Sequence, residues 1–213
     1  MAIKPKITIG VLLLHLLTCN MTCHEKCTNQ DFSFAITNRI YPDKDTIQTG
    51  DTIWIEVDVP TLLTDLRSNT EIDYSGAVNL GSAIQFLKLG KAQGSDIPVT
   101  EAAQSFKTAL VIGESIDNSQ TPFAKKAKEF RFKEMNARYR FKAGFIPKEK
   151  GDFMISVGDA AGVYRHSEKC SNGGFTITIA NTMQHLYLYQ QSRADDYELS
   201  PYERTHVYCM RVK

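Results

Sequence analysis

Few side chains in this sequence have the type and spacing to carry out a reaction. His24, His166, His185 and His206 show neither His-x-His nor His-Glu-x-x-His spacing, the patterns that bring two imidazoles onto one face around a metal. A Gly-x-Ser-x-Gly elbow, which would expose a nucleophilic serine, is absent. Gly173-Gly174 is too short to cradle a phosphate and reads as a turn. Acids cluster at Asp43/Asp45 and Asp195/Asp196, with Glu198 close behind. A glycosidase needs two carboxyls about 5–9.5 Å apart across a cleft; sequence spacing does not supply that, so solvated loop acids are the expectation. Cys19, Cys23 and Cys27 with His24 make half of a zinc-type set. Zinc sites add a second, similar pair, whereas Cys170 and Cys209 stand alone. No catalytic residue, metal ligand or cofactor is expected.

Tyrosine is the compositional anomaly. Five of the nine tyrosines (Tyr187, Tyr189, Tyr197, Tyr202 and Tyr208) fall within residues 187 to 208, with Arg193, Arg204, His185 and His206 nearby. Tyrosine and arginine dominate recognition surfaces because each offers large area with a polar tip. Tyr187, Tyr189, Tyr197, Tyr202, Arg193 and Arg204 therefore form the candidate binding surface. The competing expectation makes Tyr187 and Tyr189 one face of an edge strand and Tyr208 a core residue.

The N-terminus specifies an address. Lys4 and Lys6 precede an apolar run, Ile7 to Leu17, broken only by Thr8, Gly10 and His15. That is the order of a secretory signal, and the run is shorter than the ~20 residues a membrane span needs. Leu16-Leu17-Thr18-Cys19 resembles the bacterial lipoprotein signal, with Leu16 as the branched residue three before the cysteine. The resemblance implies cleavage after residue 18 and lipidation of Cys19, with several acyl chains giving stable anchoring. Thr18 departs from the usual Gly, Ala or Ser, and no Ala-x-Ala site is present. Asn20 is not the aspartate that retains such proteins in the inner membrane, so the resemblance implies the outer membrane.

Loss of Lys4 and Lys6 leaves 23 basic against 24 acidic residues, a net charge of −1. Such a balance excludes the basic footprint of a nucleic-acid binder and a polybasic stripe for anionic lipid. Lipidation of Cys19 also makes the remaining cysteines even: Cys23, Cys27, Cys170 and Cys209. In an oxidising compartment four cysteines allow three pairings. Cys170–Cys209 is the favoured one because it ties the last strand to the body; Cys27 with either is the alternative.

After a tether (19–30), the chain reads as one β domain over 31–213, with a Tyr-rich extension at 181–213. Ile53, Ile55, Val57 and Val59 alternate with Trp54, Glu56 and Asp58. Tyr139, Phe141, Ala143 and Phe145 alternate with Arg138, Arg140 and Lys142. Strand side chains switch faces at every residue, so these runs predict one buried and one solvated face. Phe32 to Ile36, Phe153 to Val157, Phe175 to Ile179, Leu186 to Tyr189 and Thr205 to Val212 are further strands. A short helix is expected from Thr100, with Ala103, Phe106 and Leu110 at helical spacing. One or two strands are expected between Leu62 and Gly94. The predicted core includes Ile53, Ile55, Val57, Tyr139, Phe141, Phe153, Ile155 and Val157.

The segments Gly50 to Val57, and Tyr139 through Pro147 to Val157, resemble the B strand and the E–F corner of immunoglobulin-like domains. The resemblance implies an all-β, antiparallel immunoglobulin-like β-sandwich over about 31–180, without the Cys…Trp…Cys spacing of antibody domains. The whole chain resembles, in style, envelope lipoproteins of gliding, glycan-degrading bacteria. Together these readings lead to a non-enzymatic, lipid-anchored envelope protein that binds a protein partner or a glycan. A hydrolase acting on envelope or imported glycans is the alternative.

Overall fold

The computed structural model describes residues 30–91, 99–165, 168–193 and 197–213. The signal, Cys19 and the other tether cysteines lie outside the described residues, as does the side chain of Cys170. Seventeen strands and two short helices run in order among the described residues. The strands are β1 (Gln30–Tyr41), β2 (Thr46–Ile47), β3 (Ile53–Pro60), β4 (Leu62–Asp65), β5 (Thr70–Asp73) and β6 (Ala77–Val78). Next come β7 (Gly81–Leu89), β8 (Val99–Glu101), β9 (Phe106–Ile112), β10 (Glu114–Ile116), β11 (Ala127–Arg131) and β12 (Lys133–Glu134). The chain ends with β13 (Arg138–Pro147), β14 (Gly151–Val157), β15 (Ala160–Arg165), β16 (Glu168–Ile179), α1 (Leu186–Gln191), α2 (Pro201–His206) and β17 (Val207–Val212).

The all-β class holds. One sheet of eight strands runs β12-β13-β3-β1-β16-β15-β6, with β9 also on β13. A second of seven runs β10-β11-β7-β14-β17-β2, with β8 also on β7. β4 and β5 form a separate hairpin. Aromatic side chains lock the two large sheets together: Phe86 of β7 lies 4.9 Å from Phe145 of β13 between ring centroids, and Phe130 of β11 lies 5.1 Å from Phe141 of β13. The sheets are mixed, not purely antiparallel, because β1 pairs with β16 and β17 pairs with β2 in parallel.

Alternation explains the central strands. All eight predicted core residues are at most 1 % exposed, since β3 and β13 turn every second side chain onto the opposing sheet. On one side the chain itself closes the gap, as β9 pairs with β13 of the first sheet and β10 with β11 of the second. Gly113, at φ +111°, makes that switch; a Cβ there would lie 2.8 Å from the Arg131 carbonyl oxygen and 3.0 Å from the Phe141 ring.

Several expectations fail. Residues 99–112 form β8, a 3-10 turn at Ala103–Ser105 and β9 instead of a helix. Pairing with β13 and burial of Phe106 against Phe86 and Phe153 outweigh local propensity there. Between residues 62 and 89 lie four strands, not one or two. Leu186 to Gln191 is helix α1, not a strand, and the last strand begins at Val207, after α2.

Candidate binding surface

The extension packs α1 over the outer face of the second sheet, around a small core of Leu89, Met154, Leu186, Leu188, Tyr189, Val207 and Cys209. Its tyrosines and arginines divide into two groups. Three of them surround Glu203: the hydroxyl of Tyr189 donates to its carboxylate at 2.7 Å, and that of Tyr197 at 2.6 and 2.8 Å. The Arg193 guanidinium lies 4.3 and 4.5 Å from the centroids of those two rings and 3.6 Å from Glu203. Glu203 closes a capping box with Ser200 at the start of α2. Burial pushes the Glu203 pKa up, but the Tyr197 hydroxyl, Ser200 and Arg193 outweigh it and hold the pKa below the ordinary value. Tyr189, Tyr197 and Arg193 thus form a brace inside the extension. Tyr187, Tyr202 and Arg204 remain exposed, with their polar atoms bonded to Asp45, to the Val157 carbonyl oxygen and to the Leu199 carbonyl oxygen.

Two histidines clasp the extension to the body. His185 Nε2 lies 2.6 Å from Asp43 Oδ1 and donates to that carboxylate, while its buried Nδ1 has no hydrogen-bond partner. Burial raises the Asp43 pKa, and the hydrogen bonds from His185 and Asn181 lower it by more. His206 Nε2 lies 3.2 Å from Asp159 Oδ1, and its ring stacks on Tyr202 at 4.0 Å. Asp43 and Asp45 are occupied by His185 and Tyr187. Asp195 and Asp196 lie outside the described residues. Cys209 is a free thiol with no exposed surface, and burial pushes its pKa up. Its expected partner, Cys170, lies on β16 in the other large sheet.

A second surface was not singled out in the sequence. On the outward face of the first sheet, Tyr41 of β1, Trp54 of β3 and Gly144 of β13 stand in register as one row. Arg39, Glu56 and Lys142 form the next. A Cβ on Gly144 would lie 3.0 and 3.2 Å from Cζ3 and Cε3 of Trp54, so the indole lies down across the glycine. The Lys142 ammonium sits 5.4 Å from the Tyr41 ring centroid and 5.5 Å from that of Trp54, within cation–π range. Hydrogen bonding to Tyr41, and then the charge of Glu56 3.9 Å away, raise the Lys142 pKa. The signal was present: Trp54, the one tryptophan, falls on the polar parity of β3, and Gly144 breaks the polar parity of β13.

Beside this row a cleft of about 380 Å³ opens at the segment between β1 and β3, lined by Pro42, Lys44, Thr46, Ile47, Gln48, Asp51 and Thr52. Among the described residues, no three His, Cys, Asp or Glu side chains are grouped to hold a metal ion. Comparison of the chain with known protein families, with curated proteins and with solved structures finds no match.

Proposed function

We propose that this protein is exported, held in the cell envelope (at the outer membrane) through lipid on Cys19, and works as a non-enzymatic binding module for an envelope protein or glycan. The domain is read as a divergent immunoglobulin-like sandwich over about 31–180, with the extension at 181–213 clasped onto it. One observation carries the binding role: the Tyr41–Trp54–Lys142 group stands on an outward sheet face, half-exposed. Aromatic rings with polar tips and a cation give much contact area for little lost side-chain freedom. The Tyr-rich extension supports the reading less strongly, because three of its six candidate side chains are spent on Glu203.

Two measurements test the proposal. Expressed in a bacterium with its own signal, the protein should partition into detergent, and Cys19→Ala should be recovered soluble. The detergent-solubilised protein, once immobilised, should retain a component of isolated envelopes, and Trp54→Ala should retain less. Wild type recovered soluble overturns the anchor, and equal retention by wild type and Trp54→Ala overturns the surface.

A further inference from the structure

We propose that the row of Tyr41, Trp54 and Gly144, with the adjoining cleft, is a carbohydrate site that stacks a pyranose ring on the Trp54 indole. This rests on the binding-module reading and names its ligand. The indole is fixed before any ligand arrives, because Gly144 leaves the space into which the ring lies and Thr52 borders the same space. A ring already held in one orientation loses little conformational freedom on binding. The axial C–H bonds of a pyranose carry slight positive charge and meet the negative face of an aromatic ring. The hydroxyl rim of the sugar needs both donors and acceptors within reach of that face. Lys142 supplies a donor beside both rings, Glu56 supplies an acceptor 3.9 Å from it, and Arg39 stands in register with Glu56.

Size and surroundings agree. Neighbouring strands lie ~4.8 Å apart, so Tyr41 and Trp54 form a strip two rings long across the sheet. The cleft beside it, about 380 Å³, is within the usual size range of small-molecule sites. Its lining of Lys44, Thr46, Gln48, Asp51 and Thr52 suits a hydroxylated ligand. A protein partner would instead be met by an apolar centre with a polar rim. Here charged side chains flank the aromatic pair directly, with Arg138 and Arg140 paired to Asp58 farther along the same face.

The sole tryptophan is its own reporter. The detergent-solubilised full chain is titrated with cello-, malto-, manno-, xylo- and chito-oligosaccharides while Trp54 emission and calorimetric heat are followed. At least one series should shift the emission and bind. Trp54→Ala should weaken that binding by roughly tenfold or more, with smaller losses for Tyr41→Ala and Lys142→Met. Trp54→Phe should keep part of it, which guards against a misfolded alanine variant, and Leu66→Ala, an exposed side chain at the β4–β5 turn, should leave it unchanged. Oligosaccharide binding that survives Trp54→Ala overturns the site while leaving the binding module intact. No response from any series overturns the carbohydrate assignment, and the envelope-retention measurement then decides the module separately.

Discussion

His206 Nε2 and the Ile177 amide converge on one oxygen, Asp159 Oδ1, at 3.2 and 2.7 Å. That atom joins the C-terminal end of α2 to β16 in the first sheet. His206 is buried, so its nitrogen cannot exchange the carboxylate for water without the helix moving. Asp159→Ala should leave the amide and the ring short of an acceptor and cost roughly 1–3 kcal/mol. Urea denaturation of wild type and variant measures this. Equal midpoints and slopes would show that the clasp contributes nothing.

Glu203 holds the extension together from within. Glu203→Ala removes the acceptor shared by Tyr189, Tyr197 and the Ser200 amide, and it leaves Arg193 without its carboxylate. Amide exchange should quicken across residues 186–206, while β3 and β13, paired with each other inside the first sheet, should keep their protection. Glu203→Gln retains an acceptor and should fall between the two. Uniform quickening over the whole domain would mean that the extension and the sheets unfold as one unit.

The central strands were legible because their period is written into each of them. Ile53, Ile55 and Val57, like Tyr139, Phe141, Ala143 and Phe145, carry one face per strand without reference to any partner. The parallel pairing of β1 with β16 was not legible: it joins residues such as Phe34 and Phe175, and no local pattern encodes a register across that separation. The helix α1 was misread from Leu186-Tyr187-Leu188-Tyr189, which alternates in size but not in burial. In the structure Leu186, Leu188 and Tyr189 are all buried, and His185, Leu188, Tyr189 and Ser192 among the buried residues are spaced i, i+3, i+4, i+7, the period of a helix face. Counting His185 and Ser192 as inward-facing would have shown it, but polar residues are not scored that way in a sequence. The candidate site was half legible for a similar reason. Tyrosine density marked the extension, where much of it serves packing, whereas the Trp54–Gly144 contact depends on strand register.

Cys209 pairs across the sheet with Met154 and lies beneath α1. Its thiol has no exposed surface, and reaction requires a thiolate and access. Maleimide added to the folded protein should leave Cys209 unmodified and should label it only with denaturant present. Recovery of a Cys170–Cys209 peptide without reduction would instead show the pairing expected from the cysteine count. Cys209→Ser should destabilise by roughly 1–3 kcal/mol, because its hydroxyl would sit among apolar side chains.

Asp65 ties the β4–β5 hairpin to the start of β1. It accepts the Ser33 amide at 2.8 Å, the Ser68 amide at 2.9 Å and the Ser68 hydroxyl at 2.7 Å. Those bonds, Ser33 first, hold its pKa down to about 2, from an ordinary 3.8. A pKa depressed by folding means that the unfolded chain binds the proton more tightly. The stabilisation is therefore complete above the ordinary value and is lost as pH falls through about 2. Asp65→Asn removes the charge at every pH, so wild type should melt at a higher temperature than the variant at neutral pH. The gap should close progressively as the solution is acidified below about pH 4. Thermal scans of both proteins across that range give the test, and a gap that stayed constant down to pH 2 would show that the charge on Asp65 plays no part.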